Sequence, residues 1–83
     1  MSVTLTAGAV ALADWRSRLA WTQERAADFL EVGYSLFCKL ERGVRTPSLK
    51  LAARIEERTQ GAVRAVEWTK AAPPGAAAAA GGT

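Results

Sequence analysis

Two short runs of helical spacing, separated by a break of three residues, constrain this chain more than any other feature. From Thr22 to Gly43 it reads TQERAADFLEVGYSLFCKLERG. Behind a cap-capable Thr22, the apolar Ala26, Ala27, Phe29 and Leu30 recur at helical spacing, leaving Gln23, Glu24, Arg25 and Asp28 for solvent. Glu31-Val32-Gly33 interrupts the pattern, which resumes at Leu36, Phe37 and Leu40 while Tyr34, Ser35, Lys39 and Arg42 face elsewhere. Two helices joined by a tight turn form a helix-turn-helix pattern.

The flanking sequence supplies the rest of a bundle. Thr6 can cap a first helix running from Ala7 to about Leu19, with Leu12, Trp15 and Leu19 on its buried stripe and Asp14, Ser17 and Arg18 in water. Ala20-Trp21 links it to Thr22, and Trp21 can pack back onto the first turn of the next helix. Trp21 reads as core, with stacking on a base as the alternative. Gly43 ends the second half of the motif as a left-handed cap, and Val44-Arg45-Thr46-Pro47 leads to a further cap at Ser48. The helix from Leu49 to about Thr59 is expected to bury Leu49, Ala52, Ile55 and Ala53, before Gln60-Gly61 stops it. Residues from Ala62 to about Thr69 suit a short last helix or turn with Val63, Val66 and Trp68 apolar. No stretch alternates with period two for long and no Asn-Gly or Asp-Gly hairpin signal occurs, so the expected class is all-α.

Eighty-three residues allow one domain with a modest core, for which oligomerisation is a plausible aid. So small a core leaves little room for Trp68, and Val63, Val66 and Trp68 are the expected contact with a second copy. The boundaries expected are an arm at 1–6, the helical domain at 7–70 and a flexible tail at 71–83. That tail, AAPPGAAAAAGGT, has no charge and no large side chain with which to order itself.

The formal charge of +3 matters less than its placement. Between Tyr34 and Arg54 stand Lys39, Arg42, Arg45, Lys50 and Arg54 against the single acid Glu41, whereas Thr22 to Glu31 holds one base and three acids. Positive potential therefore gathers around the second helix and its exit loop, where a phosphate backbone would be attracted. Catalysis fares poorly: histidine is absent, the one cysteine, Cys38, lies in an apolar stripe, and carboxylates are scattered singly. No metal, cofactor or disulfide is expected. The apolar N-terminus lacks the charged start of a secretory signal, and Asp14-Trp15-Arg16 cuts it far short of ~18 residues, which implies a cytoplasmic protein with no membrane span.

Specific residues carry a resemblance to a known family. Trp21-Thr22-Gln23-Glu24, Ala27, the pair Phe37 and Leu40, and Leu40-Glu41-Arg42-Gly43 followed by Thr46-Pro47-Ser48-Leu49 are similar to the Cro/CI-type (XRE-type) helix-turn-helix regulators of phages and bacteria. The similarity covers roughly residues 10 to 68, and Arg54-Ile55-Glu56 through Gly61-Ala62-Val63 also resembles small phage-type repressors and antitoxins. It implies a compact, lambda-repressor-like DNA-binding domain of four or five helices whose second motif helix enters the major groove. The turn departs from the family at two positions. Glu31 stands where Gly is usual and the backbone tends toward positive φ, so that it is strained or turned differently, and Gly33 stands where Ser or Thr commonly caps.

The resemblance also assigns roles. Spacing of one turn and family correspondence place Tyr34, Ser35 and Lys39 toward base edges, with chemistry suited to thymine methyl, phosphate or guanine contacts. Thr22 and Gln23, at a helix N-terminus with unpaired N–H groups, are placed on a phosphate, although Thr22 can equally be a plain cap; Arg42 and Arg45 flank the groove as clamps. Leu36 either touches a thymine methyl or covers core, and Cys38 is a small filler. Arg16 occupies the position of a family Arg that pairs with the Glu near the end of the reading helix, here Glu41. The expected function is sequence-specific binding of double-stranded DNA as a dimeric repressor on an inverted repeat, nucleoid-associated when bound. The alternative is an antitoxin or adaptor that uses the same fold to bind a partner protein.

Overall fold

The computed structural model describes residues 5–72 as an all-α bundle. Four α-helices follow in order, α1 Ala7–Arg18, α2 Gln23–Leu30, α3 Tyr34–Glu41 and α4 Leu49–Arg58, and a 3₁₀ turn, Ala65–Thr69, takes the place of a fifth. Three of the starts are set by side-chain oxygens: Thr6, Thr22 and Ser48 accept from the amides of Ala9, Arg25 and Leu51 at 3.1, 3.1 and 3.2 Å. Each α-helix ends in the same way, with a residue of positive φ whose neighbours bond back to the last turn. At α3 this residue is Gly43, where the Val44 amide reaches the Lys39 carbonyl at 3.0 Å. At the other three it is Ala20, Glu31 and Gln60, with φ of 57°, 57° and 55°.

One core joins the helices. Leu12, Leu30, Phe37, Leu40, Ile55 and Val63 are fully buried, with Ala9, Ala26, Ala27 and Ala52 between them. Trp68 closes the bundle by lying over Gly8, the second residue of α1: a Cβ there would stand 2.3 Å from the indole Cδ2. Thr59 fixes the chain beyond α4, donating to the Ile55 carbonyl at 2.7 Å and accepting from the Val63 amide at 3.1 Å. The two ends of the described chain meet in an antiparallel bridge between Thr6 and Ala71, with the Ala72 amide donating to the Leu5 carbonyl at 2.9 Å. Among the described residues no helix is long and apolar enough to cross a membrane.

Several expectations are corrected. Val63 and Trp68 are 0% and 6% exposed, so they are core rather than an interface between copies. Gly8 removes the side chain that would have kept Trp68 outside. Of the expected contact, only Val66 remains on the surface. Leu19, placed on the buried stripe of α1, is exposed because it lies past the last helical residue; Trp21 turns back instead to meet Trp15, with ring centroids 5.7 Å apart. Leu49 is 84% exposed, because α4 turns Ala52, Ile55 and Thr59 inward, an arc ~90° away from Leu49 at ~100° per residue. Ala53 is exposed as well. Leu5 and Thr6 of the expected arm, and Ala71 and Ala72 of the expected tail, are held by the bridge, while 1–4 and 73–83 lie outside the described residues.

Candidate nucleic-acid interface

At ~100° per residue, Tyr34, Cys38, Arg42, Ser35 and Lys39 fall within an arc of ~140° on α3 and its cap, opposite the buried Phe37 and Leu40. Tyr34, Ser35, Lys39 and Arg42 are exposed, Cys38 is half-buried, and Leu36 is half-buried against the core. The reading residues expected from the sequence thus share one solvent-facing strip. Cys38, expected in an apolar stripe, lies instead inside this strip, one turn after Tyr34. The Cys38 side chain, through hydrogen bonding, holds the Tyr34 phenol above its ordinary pKa, with desolvation and the nearby Glu24 adding to the effect. A tyrosine hydroxyl is protonated at neutral pH with or without this shift, so it can donate.

The electrostatics of the strip depend on Glu41. This carboxylate, with its side chain 6% exposed, accepts from Arg16 Nε at 2.6 Å and Arg16 Nη2 at 3.2 Å, while Arg16 Nη1 donates to the Trp21 carbonyl at 3.0 Å. Glu41 is the one acid between Tyr34 and Arg54, and Arg16 neutralises it from inside the bundle. Lys39, Arg42, Arg45 and Lys50 are exposed and make no ion pair among the described residues, so their field reaches solvent uncompensated.

Gln23 is placed differently from a free phosphate donor. Its side-chain amide donates to Glu41 Oε1 at 3.0 Å, which ties the N-terminus of α2 to the end of α3, next to Arg42. The backbone amides of Gln23 and Glu24 stay without partners among the described residues, because the Thr22 hydroxyl takes up only the Arg25 amide. Two unpaired N–H groups at a helix start can donate to an anion.

The turn between α2 and α3 is built on Glu31 in the left-handed region, at φ 57° and ψ 45°. A side chain there costs ~1–2 kcal/mol relative to ordinary helical backbone. Arg54 of α4 donates to the Glu31 carbonyl at 3.1 Å, and Arg58, one turn further along α4, pairs with the Glu31 carboxylate. Arg58 also lies over the Phe29 ring, 5.9 Å from its centroid. Phe29, 39% exposed, belongs to an aromatic group with Trp15 and Trp21, and Arg25 covers Trp21 at 4.8 Å. Trp21 is thus partly buried against these rings.

Arg54, counted above with the basic residues, is therefore engaged at the turn. Sequence reasoning missed this role for Arg54 and Arg58. The signal was present: a non-glycine where positive φ was expected, and two arginines four residues apart on one helix, both able to reach the same point. The chain gives no significant match to any family model, curated protein or solved structure.

Proposed function

We propose that the chain is a sequence-specific DNA-binding regulator, a homodimeric repressor that places α3 in the major groove of an inverted repeat. The observation that carries this reading is the exposed strip of Tyr34, Ser35, Lys39 and Arg42, beside cations left unpaired while Arg16 absorbs the charge of Glu41. Tyr34, Ser35 and Lys39 meet base edges. Arg42, Arg45 and the open amides of Gln23 and Glu24 hold phosphates and set the register. Thr22 serves as the cap of α2, and the Gln23 side chain steadies Glu41. One reading helix per chain specifies only a half-site, so two chains act together, and Val66 is the residue of the expected contact that remains available to a second copy.

A second reading, a module that binds a partner protein, draws on Val44 and Leu49, which are 56% and 84% exposed beside the basic strip. Titration of a labelled random-sequence duplex over a series of salt concentrations separates the two. A DNA-binding protein gives log affinity falling linearly with log salt, with a slope of ~0.9 per phosphate contacted. No binding at low salt would leave the protein-partner reading.

A further inference from the structure

The strained turn, rather than the reading strip, holds the unexplained chemistry of this chain. Glu31 stands in the left-handed region without being glycine, and both of its ends are grasped from α4: the carbonyl by Arg54 at 3.1 Å and the carboxylate by Arg58. Arg58 is steadied in turn by the Phe29 ring, 5.9 Å from its Cζ. The turn closes when the Val32 amide donates to the Ala27 carbonyl at 3.0 Å, and Gly33, which follows, starts α3 with no side-chain cap bond of its own. The start of α3 is therefore set by this turn and by the burial of Leu36 and Phe37, with no capping side chain to help.

We infer that Arg54 and Arg58 are positioning residues that lock the left-handed turn at Glu31 and so set the angle at which α3 leaves α2, rather than contacting phosphate. The consequence for DNA rests on the function proposed above; the clamp itself does not. A guanidinium that already donates to a carbonyl and one already spread over a carboxylate and a ring have donors committed to the turn, at its solvent-exposed side. Glycine at 31 would adopt the same backbone without help, so the need for the clamp should vanish in Glu31→Gly.

Two readouts test this. Hydrogen exchange at the Val32 amide reports opening of the turn: Arg54→Ala and Arg58→Ala should each speed it ~3- to 10-fold while the Leu40 amide keeps its parent rate, and Arg58→Ala should change nothing in Glu31→Gly. Unchanged exchange at Val32 in both variants overturns the clamp. The second readout is affinity for the duplex enriched by selection from random sequence, compared with random duplex. A positioning role lowers affinity for the enriched duplex ~3- to 10-fold, spares random duplex and the salt slope, and is rescued by Glu31→Gly. Equal loss on both duplexes, with the slope shallower by ~0.9, would make the arginines phosphate contacts and overturn the inference. If selection enriches nothing, the DNA-binding reading fails by itself and exchange at Val32 decides the clamp.

Discussion

Glu41 is a carboxylate on which three donors converge, two from Arg16 and one from Gln23, at 2.6, 3.2 and 3.0 Å. Truncating it strands a guanidinium whose side chain is 24% exposed, so hydration returns part of what is lost. Glu41→Ala should cost ~2–3 kcal/mol, a little below the usual range for breaking a buried pair, measured by thermal unfolding. Adding Arg16→Met should recover most of it; an unchanged midpoint in Glu41→Ala would mean that the pair contributes nothing. At Gly8 two effects oppose each other. Alanine is the better helix former by ~1 kcal/mol, but its Cβ would sit 2.3 Å from the Trp68 ring and force the indole out. The clash should win, with Gly8→Ala destabilising by ~1–3 kcal/mol and the fluorescence of Trp68 shifting to the red. Stabilisation would show that Trp68 can shift at little cost. Gly8 was also the readable trace of this contact, since an isolated glycine inside a helical run usually has a packing reason. Size alone had placed Trp68 outside.

Helix starts were legible because they reside in local chemistry: Thr6, Thr22 and Ser48 precede their helices and each cap bond forms. Helix ends were less so. Ala20 adopts positive φ with no glycine to announce it, and at the end of α4 the positive φ begins at Gln60, one residue ahead of Gly61. Ala20→Gly should relieve strain at an exposed site and raise stability by up to ~1 kcal/mol, or ~4–8 °C in midpoint for a domain of this size. No gain would show that the greater freedom of glycine in the unfolded chain cancels it. The faces of α4 were misjudged at Leu49 because a spacing of three residues puts it at the margin of the buried arc, and the solvent side of that margin prevailed. On α3, Lys39→Ala should relax preference at one base pair per half-site at a cost of ~1–3 kcal/mol, whereas Arg45→Ala should weaken cognate and random duplex alike. A changed consensus in Arg45→Ala would place that residue on a base.

At the scale of the whole molecule, the ends of the described chain are joined, and this was not readable from a composition that offers only alanines at 71 and 72. A backbone bond needs no particular side chain, so the pairing of Ala72 with Leu5 leaves no mark in the sequence. A chain ending at Lys70 should melt below one ending at Ala72 by ~1 kcal/mol, because the Ala72 amide bond and the bridge at Ala71 are lost. Equal midpoints would show that the bridge adds nothing. The all-α bundle itself followed from spacing, since caps and apolar periodicity agree along the chain. The apolar residues left on the surface did not, because which of them stay outside depends on the packing of distant elements.

Selection of bound sites from random duplex DNA, with the number of chains per enriched site determined by sedimentation, is the most direct test of α3 as a reading helix. The expected result is a short inverted repeat with half-site centres ~34–36 Å apart, one helical turn, holding two chains. Failure to enrich any sequence, or an unsymmetrical site holding one chain, would contradict it.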